Sequence, residues 1–448
     1  MKMRYLTVWA VVLFLSTGTA LAEVQITVYN SDLALVKDTR TLQYQTGTFE
    51  LSFTDVAAAI DPTSVAFTVH DNPDAVTLLE QNYRYDLVSS EKILSKYVDR
   101  TIRVVSKLEE VYEGVLLAAD GSALTLRRPD GGLTILSRAE TAELSFPDLP
   151  EGLITRPTLV WTLESDVSGS LPSEVRYLTG KISWHAEYIA TINAAENGLD
   201  LAGWVSIDNR SGATYADATV KLVAGDVSRV EDRKAIQMDV GRTGLRAGAP
   251  FEEKAFFEYH LYTLGRRSTI RDNEIKQLAL FEPTAVRAEK VYTFDGTQHG
   301  DKVRVTMEFE NSVAAGLGIP LPEGKIRAMK ADTDGSLEFI GEDRIDHTPK
   351  DEHVRVFVGN AFDIVGERKQ TDHRQISSRV TEDDVVVELR NHKSDPITVV
   401  IVEHFWGDWT ITSSTLEFTK KDARTAEWRV AVPADGKAEL SYTVRRRM

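Results

Sequence analysis

One pattern recurs along almost the whole of this 448-residue chain: apolar and polar residues alternate in short runs. Val24-Gln-Ile26-Thr-Val28, Phe49-Glu-Leu51-Ser-Phe53 and Val65-Ala-Phe67-Thr-Val69 open the series, with a shorter apolar stretch from Leu33 to Val36. Trp428-Arg-Val430-Ala-Val432 and Leu440-Ser-Tyr442-Thr-Val444 close it. A period of two sends successive side chains to opposite faces of a sheet, so each run reads as a half-buried strand. Asp61-Pro62 and Asn72-Pro73 supply turns between the first runs. The expected fold is all-β: multi-lobed antiparallel β-sandwiches, with a small five-stranded SH3- or Sm-like barrel and one short helix. The helix is read at Glu91 to Val98, with Ser90 as its cap and Ile93, Leu94, Tyr97 and Val98 on one face.

The segments follow from the spacing. An N-terminal β region with the helix covers 23–98. The barrel covers 99–149, with strands read at Thr101–Ser106, Val111–Ala118, Ala123–Arg128, Leu133–Leu136 and Thr141–Phe146. Asp120-Gly121 and Asp130-Gly131 mark hairpin turns there, and closure would remove the exposed edges. Barrels of this size can bind RNA, but this segment carries more acids than bases, so no nucleic-acid partner is expected. A proline-framed linker, 150–157, leads into a β-sandwich region, 158–448. At about 290 residues that is more than one sandwich usually holds, so two lobes dividing near 290 are expected. Within it, Gly225 to Lys254 lacks periodicity and reads as a long surface loop.

The chain has no cysteine, which excludes disulfides, thiol nucleophiles, thiolate zinc sites and iron–sulfur clusters. That matters because residues 1–22 have the layout of a secretory signal peptide. Lys2 and Arg4 precede an apolar run from Tyr5 to Leu15, and Ala20-Leu21-Ala22 gives a small-x-small cleavage pattern. The run is too short for a bilayer span. The expected product is exported, periplasmic or extracellular in a bacterium, with no transmembrane segment after cleavage. The formal charge of −16 comes from 52 bases and 68 acids; losing Lys2 and Arg4 leaves 50 against 68, or −18. Without covalent staples, stability has to come from large cores.

Motifs for chemistry are sparse. GxSxG, HExxH, GxxxxGK[ST] and a complete GxGxxG are absent. Ser89-Ser90-Glu91-Lys92 matches SxxK, but a helix cap explains it. Asp332-Thr-Asp334-Gly335-Ser-Leu-Glu338 resembles part of a calcium loop, but it lacks the third acid, the longer spacing to the glutamate and the flanking helices, so a strand-joining turn at Asp334-Gly335 is expected. Nine histidines are scattered without i,i+2 or i,i+4 pairing. No cofactor, metal or catalytic residue is assigned. Asn209-Arg-Ser211 is a glycosylation sequon by pattern alone. The densest aromatic cluster is His404-Phe405-Trp406-Gly407-Asp408-Trp409. Trp406 and Trp409 either form a stacking platform for a sugar or peptide or seal the end of a sandwich core. His260 and Tyr262 share one face of a strand beside the long loop and are either an exposed binding surface or core. These four residues are the candidate binding surface.

A set of strings in fixed order carries a resemblance. They include Gln81-Asn-Tyr-Arg-Tyr-Asp-Leu87, Leu153-Ile-Thr-Arg-Pro-Thr-Leu-Val-Trp161, Ile182-Ser-Trp-His-Ala-Glu-Tyr188, Gly203-Trp-Val and Asn209-Arg-Ser-Gly-Ala-Thr-Tyr215. Lys221-Leu-Val-Ala-Gly-Asp-Val227, Phe257-Glu-Tyr-His-Leu-Tyr262, Lys276-Gln-Leu278 and Gly407-Asp-Trp409 complete it. The chain resembles the bacterial family catalogued as domain of unknown function 4139, which includes mucoidy-inhibitor-like proteins. The resemblance covers about 158–448 well and the N-terminal strands more loosely. It implies a β-rich, often exported protein, loosely linked to exopolysaccharide, with no catalytic residue to carry over. Those relatives have a helical coiled coil where this chain has the expected barrel and short helix. Trp184, Tyr188 and Trp204 of these strings are expected to pack the core, and Gly203 and Gly225 to mark bulges or tight turns.

Two functions fit. One is a non-enzymatic envelope protein that binds an envelope protein or polysaccharide. The other is an envelope-glycan hydrolase working through paired carboxylates, which need only spatial proximity and leave no local motif.

Overall fold

The computed structural model describes residues 23–70, 73–150, 153–225, 251–256 and 259–447. The expected signal peptide and residues 226–250 of the expected long loop lie outside the described residues. The fold is all-β, mostly antiparallel, with one α-helix among the described residues. No helix among the described residues is long and apolar enough to cross a membrane.

The larger core lies between three sheets. An eight-stranded sheet runs Phe251–Phe256, Tyr259–Leu264, Tyr215–Ala224, Glu23–Tyr29, Leu33–Tyr44, Gly169–Thr179, Ala66–Val69, with Ser268–Ile270 paired to Tyr215–Ala224. The Phe251–Phe256 strand replaces the end of the expected loop. Three strands, Gly47–Thr54, Thr158–Ser165 and Val76–Arg84, form a second sheet. Trp161 of that sheet is fully buried and packs 4.7 Å from Phe67 and 5.6 Å from Phe53. The third sheet runs Glu274–Arg287, Gly198–Asn209, Ile182–Ile192, Gly324–Ala331, Leu337–Ile345. Along Ile182–Ile192, Ile182, Trp184, Ala186, Tyr188 and Ala190 alternate inward, as the period of two predicts. Trp204 departs from its expected place. It pairs with Glu187 on the outer face and is 39% exposed. The ladder is bulged on both sides of Gly203, where a Cβ would lie 2.3 Å from the Phe281 ring. Only glycine lets that ring lie across the strand.

A second core belongs to one nine-stranded sheet: Asp408–Ser414, Gly436–Arg447, Val380–Asn391, His353–Ser377, Lys302–Glu310, Glu289–Phe294, Ile397–His404, Thr425–Val432, Thr419–Lys420. Trp428, eighth in that order, stacks 5.0 Å from Tyr442, second in order. The sheet therefore rolls over until its two ends face each other. Two of its strands also reach the first core. Lys302–Glu310 gives Val303 to the second core and Met307 and Phe309 to the first. His353–Ser377 gives Val354 and Val356 to the first and Ile364 to the second.

The small unit has its own core, built from Leu94, Tyr97, Ile102, Val104, Leu116, Leu124 and Leu126. Its five strands fall within a residue of their expected bounds. The barrel does not close. The order is Thr141–Ser145, Thr101–Ser106, Val111–Ala119, Ala123–Arg127, Leu133–Ser137, and no ladder joins the first to the last. A one-turn 3-10 helix, Arg138–Glu140, carries the chain between those edges, and helix Ser90–Lys96 completes the core through Leu94 and the adjoining Tyr97. Ser89, one residue before the expected cap, accepts from the Lys92 amide. The whole unit is inserted into one hairpin: Arg84 pairs with Thr158 on either side of it. The neck is held by Val88 N–H to Ile154 C=O at 3.0 Å and Ile154 N–H to Asp86 C=O at 3.1 Å.

Among the described residues, three parallel strand ladders interrupt the antiparallel pattern, besides a single parallel bridge between Leu87 and Ile154 at the neck. Glu23–Tyr29 pairs with Tyr215–Ala224, Ile182–Ile192 with Gly324–Ala331, and Glu289–Phe294 with Ile397–His404. Parallel neighbours need a crossover, and each of these is entered past a fully buried asparagine. Asn209, Asn311 and Asn391 each donate from Nδ2 to loop carbonyls, for example Asn391 to Asp395 and Pro433, both at 2.9 Å. Asn209 is thus a structural hub, and its side chain is closed to glycosylation.

Candidate functional site

The aromatic cluster sits where Ile397–His404 turns into Asp408–Ser414. Phe405 and Trp409 point inward, 4.8 Å apart, and are 4% and 5% exposed. The Trp409 indole donates to the Ala423 carbonyl at 2.7 Å, so its one polar group is satisfied inside. Gly407 has φ +75°, and a Cβ there would lie 2.8 Å from the Arg447 carbonyl oxygen. This left-handed residue throws Trp406 outward, where it is 68% exposed. The Arg424 guanidinium lies 4.8 Å from the Trp406 ring centroid. The Arg424 amide holds the Asp422 carboxyl below the usual carboxylate range. His404 anchors the turn through a ring nitrogen 3.1 Å from Asp295, which is buried and also accepts from Thr297 and Gln298. The cluster therefore divides: Trp409 seals the core, and Trp406 offers an indole to solvent.

Beside this turn lies an open cleft of about 540 Å³, lined by Ser377, Ser378, Arg379, Asp408, Arg445 and Arg447 among others. It exists because strand alternation sorts three consecutive arginines at the end of Gly436–Arg447. Arg446 turns inward to the buried Asp383, which also meets His373 Nδ1 at 2.5 Å and Gln370 at 2.8 Å. Arg445 and Arg447 turn outward. Arg445 is paired with Glu382 at 2.6 Å. Arg379 and Arg447 make no ion pair among the described residues. Behind the cleft the outer face is saturated. Arg374 forks onto Asp384 at 2.6 and 3.0 Å, Thr443 donates to the same carboxylate at 2.7 Å, and these bonds hold the Asp384 carboxyl below the usual range.

The other pair of expected surface residues is placed differently. Tyr262 is 4% exposed, its hydroxyl donates to the Pro320 carbonyl at 3.3 Å, and its ring meets Trp184 edge-on at 6.3 Å. Burial puts it in the first core rather than on a free face. His260 is half-buried, paired in register with Ala224. The Asp332–Glu338 segment is the turn joining Gly324–Ala331 to Leu337–Ile345, with Asp334 accepting from Ser336. Among the described residues no group of three or more His, Asp or Glu is placed to hold a metal ion. The arginine cleft was not anticipated, although Arg445-Arg446-Arg447 continuing an alternating strand is a signal for it. No family model matches this chain, and a search of curated proteins found no match.

Proposed function

We propose that this protein is an exported, non-enzymatic bacterial envelope protein of the domain of unknown function 4139, mucoidy-inhibitor-like group, and that it binds an envelope polysaccharide through the C-terminal sheet. The single observation behind this reading is Trp406. Its indole is 68% exposed on a turn whose other two aromatics are buried, and that turn is fixed by Gly407 and the His404–Asp295 contact. An aromatic side chain on an anchored turn has only two side-chain torsions to order, so it loses little conformational entropy when a sugar ring stacks on it. The signal-like N-terminus and the family strings support the location, and the absence of catalytic motifs in the sequence supports binding over hydrolysis.

The test is a titration of purified protein lacking residues 1–22 with a panel of envelope and plant polysaccharides, followed by tryptophan fluorescence and calorimetry. Trp406→Ala is expected to remove binding, and Trp204→Ala, at an exposed tryptophan on the outer face of the third sheet, to leave it. If no polysaccharide binds, or both variants bind like the parent, the proposal fails. Release of reducing ends during the titration would replace it with the hydrolase.

A further inference from the structure

We infer that Arg379 and Arg447, in the cleft they line with the Glu382-paired Arg445, form a carboxylate clamp, so that the polysaccharide taken is an acidic, uronate-bearing one. The inference rests on the reading of Trp406 as a sugar platform and adds the chemical class of ligand. Three observations carry it.

The first is charge placement. The chain has 68 acids against 52 bases, and the outer face of the same strands is laced with ion pairs. Yet Arg379 and Arg447, which line one cleft, have no carboxylate bonded to them among the described residues. The second is shape. Guanidinium groups present a planar fork that matches a carboxylate bidentately, and Ser377, Ser378 and Thr410 add hydroxyls for the neighbouring sugar oxygens. Asp408 is the one acid among the described lining residues; it favours a ligand that brings hydroxyls as well as charge, since a bare anion would meet its repulsion. The third is continuity. Asp408 pairs in register with Arg447 and follows Trp406 by two residues. One chain of sugars can therefore stack on the indole and place an acidic ring in the cleft.

The overall negative charge repels a polyanion at long range. That repulsion is screened over about 8 Å at physiological salt, while direct contacts in the cleft act over a distance shorter than this and are screened less. Binding is thus expected to persist at physiological ionic strength.

The test compares a homogeneous galacturonate oligomer with its fully methyl-esterified, neutral form, on protein lacking residues 1–22 in physiological salt. The acid form is expected to bind at least tenfold tighter. Arg379→Gln with Arg447→Gln should bring the two forms together, whereas the remote exposed Arg176→Gln should leave the difference between them as in the parent. Near-UV circular dichroism shows that the double variant is folded. Equal binding of acid and ester by the parent overturns the clamp and leaves the polysaccharide reading standing. Binding of neither form overturns both. Inorganic sulfate displacing the oligomer at matched concentration overturns the polymeric ligand in favour of a free anion.

Discussion

Glu403 is 1% exposed inside the rolled sheet, and among the described residues its ion-pair partner is Arg368: Nε donates to both carboxylate oxygens at 2.8 and 3.1 Å, while Nη2 reaches the Tyr442 hydroxyl at 3.4 Å. Arg368→Met keeps the stem and its packing but strands a charged carboxylate in the core. Breaking a buried pair from one side costs about 3–5 kcal/mol, a large share of the roughly 5–15 kcal/mol that holds a domain. With an m value of about 3 kcal/mol/M in urea, the midpoint should fall by about 1–1.7 M. Arg368→Met with Glu403→Leu removes both charges, and since hydrophobic replacement of a buried pair is often neutral, most of that loss should return. The assay is urea unfolding followed by tryptophan fluorescence, because Trp409 and Trp428 lie in the same core. A single variant that loses less than about 1 kcal/mol, or a double variant no better than the single, would refute the claim that burial makes this pair costly to break.

Two further outcomes follow from the geometry. Replacing residues 88–153 with a short turn should leave both large cores intact, because Arg84 and Thr158 are already cross-strand neighbours; loss of the cooperative tryptophan transition would show that the small unit is structurally required. Arg374 and Thr443 hold Asp384 below its unfolded value of about 3.9. Its contribution is therefore present above that pH and lost as pH falls through the lower folded value, so Asp384→Asn should flatten the acid limb of a stability-against-pH curve below about pH 4.

The strands were legible in the sequence because alternation is local. In the small unit all five are found within a residue of where period and turn signals put them, and the Trp184–Tyr188 alternation faces inward as read. Partnership was not legible. Nothing in a period of two says that Glu23–Tyr29 pairs in parallel with Tyr215–Ala224, or that Leu133–Ser137 stops short of Thr141–Ser145. The candidate surface split for the same reason. Trp406 and Trp409 look alike in sequence, and it is the left-handed Gly407 between them that sends one out and keeps the other in. Trp204 belongs to a strand that is apolar on both faces, so composition could not say which face it occupied. The arginine cleft depends on four strands meeting, and its lining comes from three separate stretches of sequence, 376–380, 408–410 and 445–447.

The His353–Ser377 strand has a mechanical consequence. At about 3.3 Å per residue, its 25 residues reach up to about 80 Å. Its first residues are clamped in one core, its middle in the other, and Ser377 ends at the lip of the arginine cleft. It works as a cantilever rooted in two blocks. Bending between them would tear Lys302–Glu310, which is embedded in both as well, so the molecule resists hinging and a pull on the cleft is delivered as load to the root. Such a build is a fixed outrigger that holds the cleft at a set distance from the first core, where any load is borne by the ladder of backbone hydrogen bonds.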